Sequence, residues 1–540
     1  MTFSGFLAKF ENKRNRERSP HIRRGFTLPT VLSFMLVMTL ISGTLLMIIL
    51  NNLTFTAKNV KRQQALNIAE AGVNYYLWHM AHNASDYKDG GTTPATPDPK
   101  LGYGPYTHDY YDIDAAKQGT YTLWIKPKSS GSTIATVRSI GKTKDNVTRT
   151  VEAQIGAASF ASYGLLADVE FWFGSNETAN GPVFSNQGIH MDGPSTDTVS
   201  AANGQYVPKP EYGGNGTVKN GVWCSSTVTT PVNCATRDTS NWLFPRPSID
   251  FNQVVGALCS MKKVAFANDA ATASLATRSD ACNVTPTTRT PAYIPKYSTT
   301  SFSNRKGYLI ILNANKTYDL YKISNEDDSL ADSNAALTKT LVQMAIPIPS
   351  SGVIFAEDNV WIRTEGKFSG RLSVAAGRLG NDTSAADINI VGNVLYNAKN
   401  GDDAIGLVAE NDILVAPYAI PRTGPFTFEI DAATLAQGGS VTYPDVYKVN
   451  TGRCTKGWSD AAQKFLYYGA VATRQYWTWN YTRSGSCGDA AYDSSSNKYI
   501  SGVKNTTTSY DYNLYYAPPP SFPITGGYDI LSWREVLTRP

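Results

Sequence analysis

Two short stretches place paired carboxylates in a repeated setting: Phe355-Ala356-Glu357-Asp358-Asn359-Val360-Trp361-Ile362 and Val408-Ala409-Glu410-Asn411-Asp412-Ile413-Leu414-Val415. Carboxylates brought onto neighbouring rungs of β-structure can share general acid and general base duty in glycoside cleavage. Here Glu357, Asp358, Glu410 and Asp412 occupy the slot between two apolar runs, where Asn and Asp serve turn geometry, so they read as structural. His79 and His82 are three apart near a helix end, but no third residue is spaced to complete a metal site. They sit instead where the C-terminal helix dipole favours them. The acidic run Asn325-Glu326-Asp327-Asp328 with Asp332 lacks the glycine and terminal glutamate of a calcium loop, and reads as a solvated loop. No Ser/His/Asp order, phosphate loop or dinucleotide fingerprint is present. The sequence predicts no enzyme, no cofactor and no metal.

Six cysteines remain as candidates for covalent chemistry: Cys224, Cys234, Cys259, Cys282, Cys454 and Cys487. None forms a CxxC pair, and the even count suits disulfides in an oxidising compartment better than a zinc site. Sequential pairing closes loops of 10, 23 and 33 residues; the spacing alone does not choose among the fifteen connectivities.

The elements that carry these residues begin with an apolar rod. From Gly25 to Ala57 no side chain is charged, and Phe26 to Leu50 is nearly all apolar, long enough to cross a bilayer as a helix. A cleaved secretory signal has a shorter apolar core that ends at a small-x-small site. Here Ser42-Gly43-Thr44 is followed by Leu45-Leu46-Met47-Ile48-Ile49-Leu50, which favours a retained anchor with its basic leader on the cytoplasmic side. Beyond it, Leu66, Ala69, Val73, Tyr76 and Met80 recur at steps of three and four, a stripe that extends the helix to about His82. The chain's net charge of +5 resides entirely in residues 1 to 25, and the rest of its 540 residues is balanced. Nucleic-acid binding wants basic residues spread over a folded face, so no nucleic-acid partner is expected.

Residues 20 to 82 resemble the type IV pilin superfamily, and within it the PilX-like minor pilins. The basic leader ending Arg23-Arg24-Gly25, followed by Phe26-Thr27-Leu28-Pro29, is similar to a prepilin peptidase site. The resemblance implies cleavage after Gly25 and methylation of the new N-terminus at Phe26. It also implies assembly through Phe26 to Leu50, with Leu28, Pro29 and Thr30 in the assembly segment. Ala69-Glu70-Ala71-Gly72 resembles the AEAG element of PilX-type N-terminal regions. A helix within lipid or among sister helices tolerates Pro29 because its one freed carbonyl can find another partner. Most pilins carry a glutamate as the fifth mature residue, where this chain has Thr30. Tip-located minor pilins and K-type minor pseudopilins share that absence, and a buried carboxylate without a cationic partner is costly. Thr30 therefore points to a tip or initiator subunit, with drift in a divergent pilin as the other explanation.

After a Gly/Pro/Thr-rich loop from Gly90 to Pro105, three strand-like runs follow: Thr120 to Lys126, Ile134 to Ile140 and Val147 to Ile155. An antiparallel sheet packed on the helix stripe would cover both apolar faces. Beyond Ala157, Phe184-Ser185-Asn186-Gln187-Gly188-Ile189-His190-Met191 repeats the strand, polar turn, strand template of the two acidic stretches. Leu372/Val374 and Ile388/Ile390 fit the same series. Repeated short strands of this kind suggest an irregular β-solenoid, with a long-looped β-sandwich as the competing fold. Residues 194 to 350 would then be insertions. The C-terminal part is dense in Phe465, Tyr467, Tyr468, Tyr476, Trp477, Trp479, Tyr481 and Tyr510 to Tyr516. These read as core and strand residues, or as a surface for sugar or protein. Ser521-Phe522-Pro523 and Trp533-Arg534-Glu535 resemble a terminal element of large PilX-like proteins.

The expected fold is α+β, mainly β. The expected organisation is a prepilin leader over 1–25, a transmembrane and assembly helix over 26–82 and a pilin-like β-sheet head over 83–156. A solenoid-like domain with insertions follows over 157–450, then an aromatic-rich β region over 451–540. The resemblance implies a minor pilin of a type IV pilus, tip-located, acting in initiation and surface adhesion. Its partners would be the membrane, other pilins and minor pilins, the prepilin peptidase and a host or surface receptor. It would reside in the inner membrane as a precursor and then in the extracellular pilus. The alternatives are a minor pseudopilin of type II secretion and a membrane-anchored β-helix carbohydrate-active enzyme.

Overall fold

A computed structural model describes residues 27–82, 86–91, 96–127, 134–175, 177–225, 238–297, 305–327, 333–380, 384–444, 456–486 and 488–537. The fold is α+β and mainly β, with one long N-terminal helix, α1 (Thr27–His82). Four strands follow it: β1 (Tyr103–Tyr111), β2 (Lys117–Lys126), β3 (Ile134–Thr143) and β4 (Thr148–Ser159). They pair in antiparallel order. Burial alternates along β2 and β3, as one packed face and one open face require. Three of these strands occur where the sequence places them. β1 does not announce itself, because Tyr-Gly-Pro-Tyr-Thr-His-Asp-Tyr-Tyr has no fully buried position and no β-branched alternation.

The fifth strand of this sheet comes from the far end of the chain. Ile524–Val536 pairs antiparallel with β4, and Glu152 of β4 receives Arg534. Just before it, the Pro523 carbonyl accepts from Phe160 N at 3.0 Å and from Ser159 Oγ at 3.1 Å. The terminal Ser-Phe-Pro and Trp-Arg-Glu elements thus tie the chain's end to the sheet beside α1.

Between these tethers the chain builds two facing sheets. Ten strands of the larger stack in parallel: Trp242–Leu243, Val199–Ala201, Val183–Ser185, Leu165–Ala167, Gln463–Thr473, Phe426–Ala436, Ala404–Ala409, Arg371–Ala376, Val353–Ala356 and Tyr293–Ile294. The order shows that the chain starts the stack near its middle and climbs to Leu243. It then crosses to the opposite end and descends until Gln463–Thr473 docks on Leu165–Ala167. Strand pairing therefore runs across a linear division at residue 450.

Polar turns carry the chain from this sheet to the facing one, where Asn359–Glu365, Ile388–Ile390, Ile413–Val415, Val441–Thr442 and Trp477–Thr478 also pair in parallel. Ile354, Ala356, Leu372, Val374, Ile405 and Leu407 meet Val360, Ile362, Ile388 and Ile413 in one core. The alternate residues Val353, Phe355, Ala375 and Val408 pack outward against α2 (Gln253–Ala267). Burial on both faces explains the unbroken apolar runs of these strands. In α2, Val254, Leu258, Met261 and Ala265 recur at helical spacing and are buried.

One corner of the stack is stitched by turn side chains. Asn359 Oδ1 accepts from Asp387 N at 3.0 Å. Asp387 Oδ1 accepts from Asp412 N at 3.1 Å, and Asp412 Oδ1 accepts from Ser440 N at 2.7 Å. Each rung so satisfies a backbone donor of the next, which a buried turn needs.

Asp431 is a buried carboxylate of this framework whose charge is costly. It is buried in Phe426–Ala436, accepts from Tyr396 N at 3.0 Å and lies 2.7 Å from the Lys399 ammonium. Desolvation outweighs that ammonium and raises its pKa to about 6. Between the unfolded value near 3.8 and the folded value of about 6, the folded chain holds a proton that the unfolded chain has released. Stability contributed by this group is therefore lost as pH rises through that window, by up to about 3 kcal/mol. Thermal unfolding of detergent-solubilised protein should show the midpoint falling from pH 4 to pH 7 relative to an Asp431→Asn variant. Parallel pH profiles for the two proteins would contradict this.

Candidate functional site

The feature most in need of a partner is α1. No residue from Leu28 to Val60 is buried, and apolar side chains cover its whole circumference: Leu28 (72% exposed), Leu32, Met35, Leu36, Leu40, Leu46, Met47, Leu50, Leu53 and Phe55 among them. α1 is the one described helix long and apolar enough to cross a membrane, its most apolar 18-residue stretch having a mean hydropathy of 2.3. Isolated soluble proteins rarely expose apolar patches beyond a few hundred Å², so this surface calls for cover from outside the chain. Leu28, Pro29 and Thr30 all lie on it. Gly25 and Phe26 lie outside the described residues.

The character of α1 changes where the sheet begins. Lys61 pairs with Asp145 at 3.0 Å, and from there Ala65, Ile68, Ala69, Val73, Tyr76 and Met80 are buried against Tyr121, Leu123, Ile125, Val137, Val151, Ala153 and Ile155. Four of the five stripe residues expected from periodicity are buried. Leu66 is at the rim, and Ile68 takes the deeper place. The Ala69-Glu70-Ala71-Gly72 element has a steric reason. A Cβ on Gly72 would meet Ser139 Oγ and, at 2.9 Å, the Tyr121 ring. A Cβ on Gly119 would meet Ile68 Cδ1 at 2.9 Å, and one on Gly141 would collide with the backbone of Ala65 and Ala69. Small residues on both partners let the helix axis lie close to the sheet.

At the end of α1, His79 Nδ1 meets Asp86 Oδ2 at 3.3 Å and His82 Nδ1 lies 2.8 Å from the Trp78 carbonyl. The two histidines thus take different partners. Among the described residues no cluster of His, Cys, Asp or Glu is arranged to hold a metal.

The acidic turn residues have internal partners. Glu357 and Lys262 are both fully buried and form an ion pair. Lys262 Nζ also donates to the Cys282 carbonyl at 3.0 Å, and Tyr293 OH donates to Glu357 Oε2 at 2.6 Å. Desolvation still pushes the Glu357 carboxyl up from its ordinary value. Asp358 takes the buried Arg378 guanidinium and Tyr297 N at 3.0 Å. Glu410 accepts from Arg378 N at 2.7 Å and Ala386 N at 3.1 Å. Glu326 accepts from Trp361 Nε1 at 3.0 Å and from Tyr418 OH, while Asp328 and Asp332 lie outside the described residues. These oxygens hold the stack together.

Cys259 and Cys282 form a disulfide that clips α2 to the segment supplying the Cys282 carbonyl. Cys224 is disulfide-bonded. Cys234, Cys454 and Cys487 lie outside the described residues.

Two buried groups carry no sequence signal. Lys262 looks like a solvent-facing helix residue until the ladder packs on it. His190 is sandwiched between Trp223, with ring centroids 3.7 Å apart, and Trp172, 4.7 Å away. Its Nδ1 lies 2.7 Å from the Tyr212 carbonyl and its Nε2 2.7 Å from Ser225 Oγ. Desolvation lowers its pKa, favouring the neutral ring. Only long-range packing assembles either environment.

No protein-family model and no curated protein matches the chain. Among solved structures it is similar to the competence-associated pilin ComZ from Thermus thermophilus, at 12% identity over 89% of this chain and 98% of that chain, with a TM-score of 0.27. At that score the likeness carries no argument.

Substitutions at the helix–sheet contact and at the buried ion pair check this geometry. Gly72→Val should lower the unfolding midpoint of solubilised protein by the equivalent of about 1–3 kcal/mol through overpacking, while Ala at the exposed Asn74 should be silent within about 0.5 kcal/mol. Lys262→Met leaves a buried carboxylate unpaired and should cost about 3–5 kcal/mol, largely restored in the Lys262→Met/Glu357→Leu double variant. Proteolysis between α2 and Tyr293 reads the loss. Equal protease resistance in all three proteins would rule out the pair as a pin.

Proposed function

We propose that this chain is a minor pilin of a type IV pilus, inserted as a membrane precursor and then built into a filament through the apolar half of α1. The observation that carries this reading is that one continuous helix is docked on its own sheet from Ala65 onward and exposes apolar residues all round before Lys58. Such a rod can pass from lipid to a bundle of like rods because both surroundings satisfy the same side chains. In this reading the prepilin peptidase cuts after Gly25, removing seven basic side chains that no apolar filament core could accept. Phe26 becomes the methylated N-terminus, and other pilins and minor pilins are the partners. Thr30 in place of a carboxylate supports a tip or initiator position.

We read the stacked parallel strands as an irregular β-solenoid that projects from the pilus and serves surface adhesion toward a host or surface receptor. Internal engagement of Glu357, Asp358 and Glu410 supports a structural role for them over carbohydrate cleavage. The pseudopilin reading keeps one supporting observation, since Thr30 fits it equally. It predicts lost exoprotein export, with adhesion and twitching intact, when the gene is deleted.

Mass spectrometry of the mature N-terminus in sheared pili should find methylated Phe26 as the first residue. A Gly25→Ala variant should accumulate as uncleaved membrane protein and be absent from sheared filaments. Surface fibres containing the intact leader would refute the proposal.

A further inference from the structure

The face of the small sheet turned away from α1 forms the floor of a cleft of about 690 Å³, within the ~300–1,000 Å³ typical of ligand sites. Its floor is mostly polar, with Lys126 from β2, Thr136 from β3, Glu152 and Gln154 from β4, and Ser532 and Arg534 from the C-terminal strand, and Pro127 and Ile134 are its aliphatic members. Tyr516, from the short helix Asn513–Tyr516, also lines it. Tyr516 is 53% exposed, and its ring is steadied edge-on by Tyr515 at 4.9 Å. The aromatic segment near the C-terminus thus divides: Tyr510 is buried, while Tyr516 faces the cleft.

The charges in the floor are unequally used. Glu152 is held by Arg138 at 3.0 Å and by Arg534 Nε at 3.1 Å. Ser532 Oγ donates to Gln154 Oε1 at 2.9 Å, which leaves the Gln154 amide hydrogens unused by that bond. Lys126 has no ion-pair or hydrogen-bond partner among the described residues. The cleft so offers one cation in excess, amide and hydroxyl groups across a flat sheet, and a single aromatic plate.

We propose that this cleft binds an oligosaccharide bearing a carboxylate, with a sugar face stacked on Tyr516, the carboxylate on Lys126 and hydroxyls on Thr136 and Gln154. A sugar ring presents an apolar face and a polar rim, which matches one aromatic plate over a polar floor. A peptide would want several apolar anchoring pockets, and beside Tyr516 this lining holds only Pro127 and Ile134 as apolar groups. A nucleic acid would want a broad basic surface. The inference rests on the adhesive reading, names a ligand class for it, and places a binding site on the small sheet rather than on the parallel stack.

Isothermal titration of detergent-solubilised full chain with hexagalacturonate and with 3′-sialyllactose tests it, cellohexaose being the neutral control. At least one acidic sugar should bind, roughly tenfold more tightly than cellohexaose. Tyr516→Ala and Lys126→Ala should each weaken it by about tenfold, with unchanged thermal unfolding. Failure of both acidic sugars to bind overturns the proposal. So does binding indifferent to both substitutions, equal binding of cellohexaose, or tighter binding of a deoxythymidine decamer. Because the titration needs no filament, a protein that binds sugar but is never cleaved at Gly25 would refute the pilin reading and leave this one standing.

Discussion

The close approach of α1 to its sheet is the contact on which the rest of the molecule depends. Gly72, Gly119 and Gly141 remove the side chains that would hold helix and sheet apart, and the apolar stripe from Ala65 to Met80 fills the space. Burying such a side chain is worth about 1.5–3 kcal/mol, so half a dozen of them fix the helix firmly against β2, β3 and β4. The same rod continues without a break to Thr27, with every apolar residue before Lys58 left to surroundings outside the chain. A rigid junction between these halves means that whatever holds the outer half also sets the position of everything beyond the sheet.

The large β part is tethered at both ends to this junction. The chain leaves β4 through Phe160, whose amide bonds the Pro523 carbonyl, and returns as the fifth strand beside β4. Within it, the parallel stack is joined by paired residues 306 positions apart, Leu165–Ala167 on Gln463–Thr473. Parallel pairing of that separation is slow to form, and buried pairs such as Lys262–Glu357 and Asp358–Arg378 are weak evidence of net stability. Their use here is positional: each joins an inserted segment or loop to one rung, so a slip of register would strand a charge in the core. The stitched corner from Asn359 through Asp387 and Asp412 to Ser440 sets the same register with backbone donors.

The two halves of the proposed role thus place opposite demands on one sheet. One face is apolar, closed by α1 and without room for a further side chain at Gly72. The other is polar, crossed by Arg138–Glu152–Arg534 and open to a cleft. Alternation along β2, β3 and β4 delivers both faces from the same residues, because successive side chains point to opposite sides of a strand.

Period and composition alone determined the elements whose partners are near in sequence. The uncharged run after Gly25, the stripe over Leu66 to Met80, three strands of the small sheet and the strand, turn, strand units at Phe184, Phe355 and Val408 could all be read directly. Local patterns record which face of a residue is buried. They do not record what buries it. The fifth strand of the sheet, the docking of Gln463–Thr473 on Leu165–Ala167, the burial of Lys262 and His190, and the meeting of Tyr516 and Lys126 in one cleft each depend on segments distant in the chain. Only the tertiary structure decided them, because a contact between distant segments leaves no period in either one.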